Sequence, residues 1–144
     1  MNKLDITKEM LYIKNPRRVI RSALNFHGKP NFVSSRVGDG FIYVLSGGCR
    51  YDFDDGVTLC ANAGDILYLA DRAKYRMLLS SEIYEVIYVD FIFESEALRQ
   101  SACFTTDPAM GAEALFKKLH RVYTSTEIES RANVLSFIYS IYAT

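Results

Sequence analysis

The sequence predicts a mainly β fold, a small sandwich or barrel, followed by a C-terminal antiparallel helical hairpin. Short segments rich in β-branched and aromatic residues alternate with Gly- and Asp-containing turns between about residues 32 and 93. Many short strands at near-regular spacing are typical of a β-sandwich or barrel. From about residue 107 apolar residues recur three to four positions apart, which indicates helix. A length of 144 residues fits one domain with a single substantial core.

The strand candidates are 41–45, 49–53, 66–69, 75–79 and 84–93. Asp55-Gly56 predicts a two-residue hairpin turn directly after the second candidate, because both residues tolerate a positive φ. With that turn at the centre, Phe53 would pair with Thr58, and Tyr51 with Cys60. The region 1–31 mixes apolar and basic residues around a proline, so it is either an arm or an edge strand laid over the barrel.

Two helices are predicted after the strands. Asp107-Pro108 offers an N-cap followed by proline at the first helical position. The first helix then carries apolar residues on one face at Leu115, Leu119 and Val122. Thr126 and Glu129 form a capping box that opens the second helix. The connection is short, so the two helices are expected to pack antiparallel.

The second helix, residues 127–143, runs into the stretch 136–144, which is apolar on nearly every side and has no stop signal. One neighbouring helix cannot cover all of that surface, and large exposed apolar patches mark interfaces. We expect it to mediate a two-fold homodimer. Two other ways of burying the apolar surface of this helix stay open: packing against the barrel, or contact with a domain beyond residue 144. The dimerisation candidates are Val134, Leu135, Ile138, Ile141 and Tyr142.

Composition excludes several classes of protein. Seventeen basic residues balance seventeen acidic ones, so the chain lacks the basic excess of a free-standing nucleic-acid binder. No apolar stretch approaches the roughly 20 residues that span a membrane. The first ten residues lack the apolar core of a signal peptide. Three cysteines without close spacing favour neither a disulfide framework nor a zinc site, so a reducing cytoplasm is expected.

The glycine spacing resembles that of the cupins, a family of small double-stranded β-helix (jelly-roll) barrels. Gly28, Gly47 and Gly64 stand at the glycine positions of the two cupin motifs. The resemblance places the family's metal ligands at Ser34, Arg36, Gly40 and Tyr75, a set that cannot bind a metal. We therefore expect no metal, no cofactor and no enzymatic activity.

The same resemblance implies a changed barrel interior. Strand alternation directs the ligand-equivalent side chains of Ser34, Arg36 and Tyr75 inward, where they would bind a small polar effector such as a sugar or a carboxylate. Asp90 interrupts an apolar strand and joins this candidate site if it faces the pocket. The competing interpretation has Arg36 in solvent, Tyr75 filling the core and Asp90 facing outward.

Over most of its length the chain is similar to the N-terminal sensor and dimerisation domain of AraC-type bacterial transcription regulators. The segments that carry the similarity are 41–48, 63–69 and 89–94, followed by the helical hairpin. The family commonly has a Pro-Pro-Gly-type turn where residues 70–72 are Ala-Asp-Arg, so the shape of this turn stays open.

This resemblance implies an effector-binding, dimerising domain of a cytoplasmic regulator. It divides residues 1–144 into an N-terminal arm or edge region (1–31), a barrel (32–93) and a helical dimerisation segment (94–144). DNA would be bound only through a helix-turn-helix domain outside this chain. The alternative is a stand-alone metal-free cupin that binds or isomerises a small carbohydrate-like molecule.

Overall fold

The computed structural model describes residues 13–93, 100–106 and 111–123, and shows two antiparallel β-sheets packed against each other. One sheet has five strands in the order β1-β8-β3-β6-β9, and the other has four in the order β2-β7-β4-β5. The elements are β1 (Ile13–Leu24), β2 (Asn31–Val33), β3 (Asp39–Ser46), β4 (Gly48–Phe53), β5 (Thr58–Asn62), β6 (Asp65–Leu69), β7 (Tyr75–Leu79), β8 (Tyr84–Phe93), β9 (Ala102–Thr105) and α1 (Ala112–Tyr123). The predicted β-sandwich followed by helix is confirmed.

The N-terminal region forms an edge strand. From Val19 to Leu24, β1 pairs antiparallel with β8, with Val19 opposite Val89 and Leu24 opposite Tyr84. At the other edge of the same sheet, β9 pairs with β6. Both strands lie outside the range 32–93 that the sequence suggested for the barrel. The sheets therefore include residues from both flanking regions.

The central strands β3 and β6 of the five-stranded sheet are buried on both faces over most of their length. Alternate residues of β3 and β6 point to opposite sides: Ile42 and Leu67 face the four-stranded sheet, whereas Tyr43 and Ile66 face α1. Phe116 of α1 is fully buried on that outer face, where its ring stacks on Tyr43 with centroids 5.3 Å apart. Burial on both faces explains why these strands are apolar at nearly every position.

Helix α1 begins at Ala112, and the Leu115 N–H donates to the carbonyl of Gly111. The predicted cap at residues 107 and 108 lies outside the described residues, as does the whole second helix. The dimerisation candidates Val134, Leu135, Ile138, Ile141 and Tyr142 are therefore outside the described part of the chain. In that part, no helix is long and apolar enough to cross a membrane.

The β4–β5 connection corrects the predicted register. The Phe53 N–H donates to the Val57 carbonyl at 2.8 Å, which closes a three-residue loop rather than a two-residue turn. Gly56, at the end of that loop, has φ +91°, as in a type I turn followed by a glycine bulge. The extra residue shifts β5 by one position, so Tyr51 pairs with Leu59 rather than with Cys60. Cys60 consequently lies on the exposed face of the sheet.

Candidate functional site

Three of the four predicted site residues meet inside the sandwich. The Arg36 guanidinium forms an ion pair with Asp90, with Nη2 2.5 Å from Oδ1. Its Nη1 donates to the Tyr75 hydroxyl across 3.5 Å. The side chains of Arg36 and Asp90 are 14% and 7% exposed, and Tyr75 is buried. The outward positions considered for Arg36 and Asp90 are wrong. We call these three residues the Arg36 cluster.

Each member of the Arg36 cluster is held by a different element. Asp90 lies on β8, directly opposite Gly40 of β3. Tyr75 begins β7 and pairs with Phe53 of β4. Arg36 follows β2 in a loop that is fixed by two backbone hydrogen bonds to the 70–73 turn. Both sheets and a loop therefore contribute to one buried polar site.

Gly40 makes room for the guanidinium. A Cβ built on Gly40 would collide with Nη2 of Arg36 and would lie 3.2 Å from Oδ1 of Asp90. In the cupin resemblance this glycine replaces a metal ligand, and its missing side chain is the space that Arg36 occupies.

The charges within the cluster are set by burial and by each other. Burial disfavours the charged form of Arg36, but Tyr75 and Asp90 outweigh it and raise the pKa of Arg36 above its ordinary value. Burial also raises the pKa of Tyr75, although the nearby guanidinium opposes that shift. At neutral pH the cluster therefore holds a cation and a neutral phenol beside Asp90.

One donor in the cluster is unused. Nε of Arg36 is buried and has no hydrogen-bond partner among the described residues. A buried N–H without an acceptor costs about 1–3 kcal/mol. An oxygen atom from a bound molecule would satisfy it.

Ser34 stands apart from the other predicted residues. It follows the end of β2 and is exposed. The hydrogen bonds that join Arg36 to Asp90 and to Tyr75 do not involve Ser34. In the described part of the chain, no group of three or more His, Cys, Asp or Glu residues could hold a metal ion.

Two further tyrosines belong to this interior, and the sequence analysis did not select them. The hydroxyls of Tyr51 and Tyr84 lie 2.9 Å apart, and the Tyr51 ring centroid is 5.7 Å from that of Tyr75. Both side chains are fully buried, and burial raises the pKa of each phenol. Both tyrosines lie on the inward-facing positions of β4 and β8. The two-residue alternation of these strands could have identified them from the sequence.

A separate cleft of about 160 Å³ opens at one end of the sandwich, between the β4–β5 loop and the 70–74 segment. The 70–73 turn is closed by a hydrogen bond from the Ala73 N–H to the Ala70 carbonyl, 3.2 Å long. Arg72 occupies its third position with φ +67°, a value that usually requires glycine. The turn left open by the sequence thus has a glycine-type backbone with an arginine side chain.

Comparison with known proteins gives structural neighbours only. No family model matches the chain. No curated protein matches it either. Apo ToxT from Vibrio cholerae superposes with a TM-score of 0.62 at 10% identity, over 90% of this chain and 56% of that chain. Wild-type ToxT bound to an unsaturated fatty acid gives a TM-score of 0.56 at 9% identity, over 90% and 55%.

A third ToxT structure, bound to (E)-4-(8-methylnaphthalen-1-yl)but-3-enoic acid, gives a TM-score of 0.62 at 9% identity, over 90% of this chain and 56% of that chain. The chain therefore spans little more than half the length of the ToxT chains. At these identities the similarity concerns the fold.

Proposed function

We propose that this chain is the effector-binding domain of an AraC-type transcription regulator, and that it binds rather than transforms its ligand. ToxT is an AraC-family regulator, and its fold is shared over 90% of the present chain. Two of the matching ToxT structures hold carboxylic acids. Two members of the Arg36 cluster, Arg36 and Tyr75, fall on positions that the cupin resemblance assigns to metal ligands, which supports effector binding over catalysis.

The unpartnered Nε of Arg36 is the observation that carries the proposal. An effector supplies an oxygen acceptor to this atom, which either a hydroxyl or a carboxylate can do. A hydroxyl can also donate to Asp90, whereas a carboxylate at Nε would be repelled by the Asp90 carboxylate that accepts from Nη2 of the same guanidinium. Because Nε is buried, the effector reaches it only when the exposed residues of the 34–37 loop shift. Ser34 and Tyr75 then complete the polar lining.

The test compares two chemical classes of probe by calorimetry: oleate, and a panel of pentoses and hexoses. Binding of either class is expected to weaken about tenfold or more in Arg36→Lys, because lysine keeps the charge opposite Asp90 but has no Nε donor in that position. Arg21→Lys is the matched control, since Arg21 forms an exposed pair with Glu85. Failure of every probe to bind, or equal binding by Arg36→Lys, would overturn the proposal. Conversion of a bound sugar would favour the stand-alone cupin.

Dimerisation and DNA binding belong to the same proposal. The second helix remains our candidate for a two-fold interface, and DNA contacts are assigned to a helix-turn-helix domain outside this chain. Light scattering of Leu135→Asp and Ile138→Asp tests the interface: both variants are expected to be monomeric. A parent protein that is already monomeric at high concentration would contradict the dimer.

A further inference from the structure

The cleft between the β4–β5 loop and the 70–74 segment is lined by side chains of opposite charge. Asp54 and Asp55 lie on the loop side, and Asp71, Arg72 and Lys74 lie on the turn side. All five of these residues are exposed. The half-buried Phe53 and Val57 give the same cleft an apolar wall. A cleft of this kind matches a small molecule with both charges and an apolar portion.

Arg72 is the member whose position needs an explanation. Its φ of +67° is strained for any residue with a Cβ, and the turn type prefers glycine there. The strain is not offset by a strong internal contact, because its ion pair with Asp71 is long, at 3.9 Å between Nε and Oδ2. The side chain is 81% exposed. A strained backbone that presents a loosely held cation is a feature of ligand-binding sites.

The turn is nevertheless held firmly at its backbone. The Arg72 N–H donates to the Arg36 carbonyl at 2.8 Å, and the Arg36 N–H donates to the Ala73 carbonyl at 2.9 Å. On the opposite side, the Asp54 N–H donates to the Lys74 carbonyl at 3.1 Å. The first two bonds hold the turn to the 34–37 loop, and the third joins the two walls of the cleft directly.

We propose that this cleft is a second binding site, for an aliphatic α-amino acid. The ligand carboxylate pairs with Arg72 and Lys74, the ammonium group pairs with Asp54 and Asp55, and the aliphatic side chain packs on Phe53 and Val57. A purely anionic ligand would meet the repulsion of three carboxylates, and a purely cationic one that of two cations. The volume of about 160 Å³ suits a molecule of leucine's size. This site is distinct from the Arg36 cluster and does not depend on an effector in the barrel.

The test titrates the protein with L-leucine and follows backbone amide signals by NMR. We expect weak binding, with a Kd of the order of 1 mM, and shifts that centre on residues 53–57 and 70–74. N-acetyl-leucine lacks the ammonium charge and leucine amide lacks the carboxylate, so each is expected to bind about tenfold more weakly. Equal binding of the three compounds, or no shift with leucine well above that concentration, would overturn the proposal.

Two substitutions locate the site. Arg72→Gly removes the cation while keeping the turn's preferred backbone, so a loss of leucine binding by about tenfold cannot be assigned to misfolding. Asp54→Asn is expected to weaken binding similarly through the ammonium group. Arg21→Ala removes an exposed arginine on β1, outside the cleft, and is expected to leave binding unchanged. Equal affinity in all four proteins would show that leucine binds elsewhere and would refute the site.

Discussion

Arg36 and Arg72 are joined by a backbone hydrogen bond, yet their side chains lie in opposite environments. The Arg36 side chain is 14% exposed and ion-paired with Asp90 at 2.5 Å, whereas the Arg72 side chain is 81% exposed and 3.9 Å from Asp71. The first arginine sits in relaxed backbone, and the second has φ +67°. Arg36 is thus held in the core by its ion pair, whereas Arg72 presents its charge to solvent.

The difference arises from what surrounds each guanidinium rather than from the arginine itself. Gly40 leaves the space that Arg36 fills, and Asp90 supplies the opposite charge within the sheet. Arg72 lies at the end of the sandwich, where water solvates its charge. Removing each arginine should consequently have very different effects on folding.

The largest effect is expected from Arg36→Ala. This substitution leaves the Asp90 carboxylate buried without its cation, which typically costs about 3–5 kcal/mol. The free energy of unfolding, measured by urea denaturation, should fall by that amount. Arg72→Ala should change it by far less, because an exposed side chain with a long ion pair contributes little.

A double variant separates the loss of the Arg36–Asp90 ion pair from the cost of leaving the Asp90 carboxylate buried without a cation. In Arg36→Met/Asp90→Leu both charges are gone, and well-packed apolar replacements of a buried pair are often neutral. We expect the free energy of unfolding of the double variant to exceed that of Arg36→Ala by about 2 kcal/mol or more. A double variant as unstable as the single one would mean that the Arg36 packing, not the ion pair, stabilises the fold.

The second effect extends the contrast between buried and exposed groups to two cysteines. Burial raises the pKa of the Cys49 thiol from 9.0 to about 12, whereas Cys60 lies on the exposed face of β5. The folded chain keeps the Cys49 proton at a pH where the unfolded chain has lost it, so unfolding becomes more favourable as pH rises. This contribution is fully present below about pH 9 and is lost between about pH 9 and 12.

Urea denaturation at several alkaline pH values measures this loss. Each proton held only by the folded chain gives a slope of about 1.4 kcal/mol per pH unit. Other buried groups, including Tyr51 and Tyr84, add to the slope in the parent protein. Cys49→Ala should make the slope shallower by about one proton. Identical slopes in the parent protein and in Cys49→Ala would refute the role of the buried thiol.

Most of the fold could be predicted from local patterns. Strand alternation and turn residues located the sandwich, and two of the glycines selected by their spacing, Gly47 and Gly64, have positive φ values. The β4–β5 register was missed because Asp54-Asp55-Gly56 fits both a two-residue turn and a three-residue loop, and only pairing across the sheet decides between them. Edge strands β1 and β9 were less evident because their partners, β8 and β6, are distant in sequence.

The candidate site was predicted in composition but not in arrangement. Arg36, Tyr75 and Asp90 were selected one by one from motif positions and an unexpected charge, while their ion pairing depends on the collapse of two sheets. Gly40 was noted only as a lost metal ligand, since its role as space for Arg36 requires coordinates. The positive φ of Arg72 has one indication in the sequence: the family has a glycine at this position of the turn.

The smallest effect, and the sharpest test of the contrast, is Arg72→Gly. Glycine adopts φ +67° without a Cβ clash, which relieves about 1–2 kcal/mol, but it also gains freedom in the unfolded chain worth about 0.5–1 kcal/mol. The net expectation is a stabilisation of about 0.5–1 kcal/mol, read as a higher urea midpoint with an unchanged m-value. Gly28→Ala, at another positive φ, is the converse control and should destabilise. A destabilised Arg72→Gly would mean that the Arg72 side chain supports the fold, and the difference between the two arginines would then be one of degree.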